Sequence, residues 1–282
     1  MKGDNLVLMV GCGDLGIRCG GLLLADGWDV AGVRRNPAAL PEGFGAFAAD
    51  YTAPASLDFI EALEPAFVLA SFIPTERSVQ VYRDGFVAAM ANLLRGLGRH
   101  RPALVTMVSS TRVYRETSGG WVDETSPLSK DDERALAIIE AEHLLLDSPL
   151  AACVARCGGI YGYPRGRLLQ RIGRGEICPE HPTRFSNRIH RDDCAGFLVH
   201  LMHKAAKGEA LEPVYTAVDD QPAAQYEVES WLAGQMGVES VTAPSEPQNA
   251  APGSHKRCSN RLLRASGYDL LYPDYRSGYK QV

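Results

Sequence analysis

The chain has 282 residues, 45% of them hydrophobic and 22% charged, enough for one large α/β unit or two coupled lobes and too apolar for a disordered or fibrous protein. A formal net charge of −5 argues against a general nucleic-acid binder, which needs a basic surface. Gly, Arg or Asp interrupts every apolar run well short of the roughly 18 residues of a membrane span, and Met1-Lys2-Gly3-Asp4-Asn5 shows no cleavage-like site, so no membrane partner and a cytoplasmic location are expected.

The first strand, Leu6–Val10, runs into Gly11-Cys12-Gly13-Asp14-Leu15-Gly16, which opens a helical stretch over Asp14–Ala25. In this G-x-G-x-x-G, Gly11 makes a tight turn, Gly13 lets a pyrophosphate approach the backbone, and Gly16 allows close helix–sheet packing. The helix start at Asp14 and Leu15 offers N–H groups without intrahelical partners to an anion. The second strand, Asp29–Val33, ends on Arg34-Arg35, where a NAD-preferring fold places an acid. A guanidinium there favours a 2′-phosphate, so NADP is the expected cofactor and NAD the alternative. A solvated strand end is the plainer reading of both arginines.

Further strands are expected at Ala46–Ala49, Phe67–Ala70, Leu104–Ser109 and Ala152–Cys157, with helices at Ser56–Leu63, Glu76–Leu97 and Asp131–Leu146. The alternation predicts an α/β protein with a Rossmann-type doubly wound parallel sheet. Ser109, Ser110 and Thr111 close one strand at the end where such sheets bind ligands. From about Tyr163 the texture changes to Arg-rich loops, two short helices (Asp192–Ala206 and Ala224–Met236) and one strand, Val214–Ala217. The predicted division is therefore a dinucleotide-binding domain over 1–162 and a mostly smaller substrate lobe over 163–282, with some strands returning to the sheet.

Arg165, Arg167, Arg171, Arg174, Arg184, Arg188 and Arg191 crowd one stretch of this acidic chain, which suits an anionic small-molecule substrate; a salt-bridged surface explains them equally simply. Seven cysteines, an odd number, read as reduced thiols. Cys153 and Cys157 lack a second ligand pair, so no metal is expected and both are assigned to the core. His200 and His203 read as solvated.

These motifs resemble those of the extended short-chain dehydrogenase/reductases, in the NAD(P)-dependent epimerase/dehydratase group and especially its atypical members. Beside the glycine loop, the resemblance rests on Asp50-Tyr51, Val108-Ser109-Ser110-Thr111-Arg112-Val113-Tyr114, Arg156-Cys157-Gly158-Gly159-Ile160-Tyr161-Gly162 and Asn187-Arg188-Ile189-His190-Arg191-Asp192-Asp193. It implies that Asp50, with Tyr51 beside it, meets the adenine amino group. Ala70 and Ser71 would line the ribose, Gly159 and Ile160 would border the nicotinamide, and Ser110 would polarise the substrate. Asp192-Asp193 is assigned to a helix cap.

One departure stands out. The family's acid/base Tyr and its Lys fall on Arg134 and Ile138, neither of which titrates usefully near neutrality. The two carboxylates of the sugar-nucleotide dehydratases fall on Thr111 and Arg112, which argues against 4,6-dehydration. Two readings follow. One is an epimerase/dehydratase-like oxidoreductase in which Tyr114 or Tyr161 moves the proton and Arg165, Arg167, Arg188 and His190 hold an anionic substrate such as a nucleotide sugar. The other is a non-catalytic NADP(H)-binding sensor or interaction protein. Monomer and homodimer both stay open.

Overall fold

The structure, a computed structural model, describes residues 5–163, 166–239, 241–242 and 255–280. In chain order, β1 (Leu6–Val10), α1 (Asp14–Ala25), β2 (Asp29–Arg34), β3 (Gly45–Ala48), α2 (Ile60–Leu63) and β4 (Phe67–Ala70) lead to α3 (Val79–Tyr82). A π-helical turn, Arg83–Ala88, joins α3 to α4 (Ala89–Leu97). Then come β5 (Leu104–Ser110), β6 (Trp121–Val122), α5 (Glu133–Leu146), β7 (Ala152–Cys157), β8 (Gly159–Tyr161), α6 (Arg167–Gly173), β9 (Glu176–Ile177), β10 (Phe185–Ser186), β11 (Arg188–His190), α7 (Arg191–Ala206), β12 (Val214–Ala217) and α8 (Gln225–Gln235).

A seven-stranded sheet takes the order β12-β7-β5-β4-β1-β2-β3, and β1 pairs in parallel with both β2 and β4. This is the Rossmann-type doubly wound arrangement. All five residues of β1 are buried, as a strand covered by helices on both faces requires. The strand order reverses between β1 and β4, which makes the carboxyl ends of these two strands the topological switch point of the sheet.

The chain forms two compact units. The first is Met1–Val113, Lys130–Arg156 and Ala195–Tyr215; the second is Tyr114–Ser129, Cys157–Cys194 and Thr216–Val282. The second unit is thus assembled from three segments rather than from 163–282 alone. It has its own core, in which Ile172, Leu232 and Tyr275 are buried beside Tyr161 and Tyr279. Among the described residues no helix is long and apolar enough to cross a membrane.

Two helix expectations change. The stretch Ser56–Leu63 is helical only from Ile60, since Ala55 takes a positive φ of 61° and the chain turns until that point. The stretch Glu76–Leu97 is interrupted by the π-turn, where Gly85 packs against Pro74.

Candidate functional site: a glycine loop at the switch point

In the first unit the glycine loop is tied to its neighbours by backbone bonds. Gly11 N–H and Cys12 N–H both donate to the Val33 carbonyl, at 3.1 and 3.0 Å, and Ser71 N–H donates to Val10 at 2.9 Å. Gly11 has φ +82°, and a side chain there would run into the Ser71 carbonyl oxygen. Gly13 differs: a Cβ would meet nothing closer than 3.9 Å, so the space above it is open. Gly13 is also the N-cap of α1, and no side chain caps that helix. An uncapped helix start beneath open space suits a pyrophosphate, whose oxygens would take the donors the sequence leaves without side-chain acceptors. Gly16 lies against Cys12 Sγ and Met9, where a Cβ would sit 3.3 Å from the sulfur, so its role is close packing of α1 on β1. Leu15 is buried, and Asp14 pairs with Arg18 at 3.0 Å.

Around this loop stand the residues read as cofactor contacts. Arg34 closes β2 half-buried and Arg35 is exposed. Arg34 follows directly on Val33, whose carbonyl accepts Gly11 N–H and Cys12 N–H, and burial pushes the Cys12 thiol up to about 11 against the opposing pull of the Arg34 charge. Asp50 Oδ1 accepts from Thr52 N–H at 3.0 Å and Thr52 Oγ1 at 2.7 Å. Those bonds hold its carboxyl below the ordinary range, with Arg35 adding to the effect. Tyr51 clamps the loop after β4: its hydroxyl accepts from Ile73 N–H at 3.2 Å, donates to the Ile73 carbonyl at 3.3 Å, and its ring lies 5.0 Å from that of Phe72. Ala70 and Ser71 are buried.

At the end of β5 the three hydroxyls split. Ser109 points into the core and donates to Glu142. Ser110 is half-buried, and its Oγ accepts Arg112 N–H at 3.2 Å. Arg112 in turn pairs with Asp132, the N-cap of α5, at 2.6 Å. On α5, Arg134 is half-buried with its guanidinium 5.9 Å from the Tyr82 ring centroid, and Ile138 is a core residue. Neither offers a titrating group.

The second unit corrects several expectations. Tyr114 is buried, with its hydroxyl 2.6 Å from Thr216 Oγ1. Tyr161 is buried against Tyr279, with ring centroids 4.5 Å apart, and donates to the Asp274 carbonyl at 3.3 Å. Burial pushes its phenol far above the ordinary value, and Gly278 fits beneath its hydroxyl only because it lacks a side chain. Both phenols serve packing, which argues against either as the proton donor. Asp193 does not cap α7: its carboxylate accepts Leu271 N–H at 2.6 Å and Tyr272 N–H at 2.9 Å, clamping the C-terminal segment. Gly159 and Ile160 form β8, paired in register with Arg188 and Ile189 of β11.

The arginine stretch is likewise largely committed. Arg171 pairs with buried Glu229, Arg174 with Glu176, and Arg191 lies over the Tyr163 ring. Arg188 is buried, bonded to Ser186 and stacked over Tyr275, while His190 sits under Gly162 against Tyr161 and Tyr272. Arg167 and Arg184 are exposed, and Arg165 lies outside the described residues. Sequence reasoning passed over Asp219, which is buried beside Arg188 and pushed up to about 7, chiefly by loss of solvent. Its only signal was an acidic pair just after the strand Val214–Ala217.

Cys153 is a core thiol, and His203 bonds Asp26 at 2.9 Å on a half-exposed helix face. Among the described residues no group of three or more His, Cys, Asp or Glu is arranged to hold a metal ion.

No family model and no curated protein matches this chain. Solved structures do. A protein from Methylobacillus flagellatus described as a NAD-dependent epimerase/dehydratase is 32% identical with a TM-score of 0.79, over 98% of this chain and 96% of that one. MoeE5, solved with UDP-glucuronic acid and NAD, shares the fold at 20% identity and a TM-score of 0.79, over 97% and 96% of the two chains. The human epimerase family protein SDR39U1, solved with NADPH, does so at 20% identity and 0.77, over 98% of each. With 32% identity across nearly its full length, this chain belongs to the NAD-dependent epimerase/dehydratase family.

Proposed function

We propose that the protein is an epimerase/dehydratase-like oxidoreductase that binds a nicotinamide dinucleotide, prefers NADP and acts on an anionic or nucleotide-linked substrate. The observation that carries this reading is the glycine loop, with Gly13 open above an uncapped helix start and Arg34 next to Val33, which the loop's backbone bonds. Gly11, Gly13 and the turn Asp14–Gly16 would hold the pyrophosphate, and Arg34 and Arg35 the 2′-phosphate. Within the same unit Asp50 and Tyr51 would take the adenine side and Ala70 and Ser71 the ribose. When bound, the dinucleotide supplies the acceptor or donor of hydride. Support for the cofactor and the substrate class comes from the family and from structural neighbours that hold NADPH, or NAD with UDP-glucuronic acid.

Ser110 accepts a backbone N–H and keeps its own proton, which it would donate to a substrate oxygen. Of the described residues read as substrate ligands, exposed Arg167 is the one whose position leaves it available, since Arg188 and His190 are packed within their own unit.

Arg134 and Ile138 in place of a Tyr and Lys favour a second reading, a cofactor-bound sensor without turnover. The two readings separate in one assay, NADP(H) turnover with a panel of nucleotide sugars and with simple alcohols and ketones. The enzyme reading expects turnover on a nucleotide sugar, lowered by Ser110→Ala with NADPH affinity unchanged, and none on simple alcohols. Tight NADPH binding with no turnover on any of them would select the sensor. Robust alcohol oxidation would contradict the assignment of Arg134 and Ile138, because general acid–base help is worth about 10²–10⁴ in rate.

A further inference from the structure

We propose that Tyr51 is a positioning residue for the dinucleotide, whose hydroxyl latches the loop after β4 to the loop after β3 so that both stand ready around the glycine loop before the cofactor arrives; this rests on the cofactor reading above. All the parts lie in the first unit. The Tyr51 hydroxyl accepts from Ile73 N–H at 3.2 Å and donates to the Ile73 carbonyl at 3.3 Å. Its single proton is thereby used inside the protein, so Tyr51 acts on the fold rather than by donating to the adenine. For Ile73, which is 63% exposed, these two bonds are the only backbone hydrogen bonds among the described residues.

The latch is anchored at both ends. On the Tyr51 side, buried Asn92 of α4 donates through Nδ2 to the Tyr51 carbonyl at 2.9 Å and to the Ala53 carbonyl at 3.2 Å, and Ser56 Oγ donates to the Asp50 carbonyl. On the other side, Ser71 N–H donates to the Val10 carbonyl at 2.9 Å, the ring of buried Phe72 lies 5.0 Å from that of Tyr51, and Pro74 packs against Gly85, where an added Cβ would sit 3.4 Å from it. The glycine loop meets the same ring. A Cβ on Gly11 would lie 3.4 Å from Tyr51 Cε1 and would run into the Ser71 carbonyl oxygen, so three loops converge at Tyr51. Two of them follow β1 and β4, whose carboxyl ends form the switch point where such sheets take their ligands. A loop fixed beforehand spares the ligand the cost of ordering it, and that difference appears as affinity. Because the loop after β3 carries Asp50, the latch governs the adenine half of the dinucleotide.

The test compares the full chain with its Tyr51→Phe variant, which keeps the ring beside Phe72 and Gly11 and removes only the hydroxyl. NADPH and adenosine 2′,5′-bisphosphate, the adenine half of NADPH, are titrated well below the thermal midpoint of both proteins, and amide hydrogen exchange at Ile73 is followed without ligand. Tyr51→Phe is expected to weaken both ligands about five- to tenfold and to speed Ile73 exchange about tenfold or more. Affinities for both ligands within twofold of the wild type overturn the proposal, because a hydroxyl that only braces the fold changes stability and not binding. Weaker binding with unchanged Ile73 exchange also overturns it, since the hydroxyl would then meet the ligand itself. So does a loss confined to NADPH, which would put the effect on the nicotinamide half. A wild type that binds neither ligand would overturn the cofactor reading, and the latch with it.

Discussion

Glu142 of α5 and Arg156 of β7 form a buried ion pair, with Nη2 2.7 Å from Oε2 and Nε 3.1 and 3.2 Å from the two carboxylate oxygens. Their side chains are 0% and 5% exposed, and Ser109 donates a fourth bond to the same carboxylate. Removing one partner strands the other charge in the core, a loss of about 3–5 kcal/mol. Glu142→Ala or Arg156→Met should each lower the urea midpoint accordingly, while Glu142→Leu with Arg156→Met should recover part of the loss. A double variant that loses the sum of both singles would show that the pair does not act as a unit.

Much of the sheet was legible in the sequence because its strands are buried on both faces. Leu6–Val10, Phe67–Ala70, Ala152–Cys157 and Val214–Ala217 occur at the residues expected from their apolar runs. The glycine loop was legible for a similar reason, since a strand, three glycines and a helix follow one another locally. Tertiary partners were not. Asp193 looked like a cap because its real partners, Leu271 and Tyr272, lie far along the chain. Tyr114 and Tyr161 looked available because a sequence does not show which phenols are packed away. The π-turn at Arg83–Ala88 shifts the helical phase by an amount that an apolar period does not register.

Gly11 and Gly13 should separate fold from binding. Gly11→Ala places a Cβ against the Ser71 carbonyl at a φ of +82°, so it should lower the thermal midpoint by several degrees. Gly13→Val meets open space in the protein and should leave the midpoint of the cofactor-free chain nearly unchanged while abolishing NADPH binding. Calorimetry and NADPH titration on the same samples read both effects. Undiminished binding by Gly13→Val would mean that the loop is only a turn.

Asp219 should impose a pH dependence on stability. Burial raises its pKa to about 7 in the folded chain, opposed by Arg188 and the Gln221 N–H and reinforced by Asp220 and Asp274. An unfolded aspartate titrates near 3.9, so between about 4 and 7 the native state holds a proton that the unfolded state has lost. The stabilisation is complete below that window and is lost as pH rises through about 7. Asp219→Asn should therefore flatten urea stability between pH 5 and 8 and raise it relative to wild type at pH 8. Parallel pH profiles for the two proteins would contradict the assignment.

The glycine loop and the two arginines at the end of β2 are proposed to form a NADP site. Its most direct test is a paired titration of NADPH and NADH into the wild type and Arg34→Glu/Arg35→Glu by calorimetry. A charge-assisted contact to the 2′-phosphate is worth about 1.5–3 kcal/mol, so NADPH should bind about tenfold or more tightly than NADH in the wild type. The double variant should lose or invert that preference while keeping NADH affinity. Equal wild-type affinities for the two cofactors, or a preference that survives both substitutions, would contradict the account.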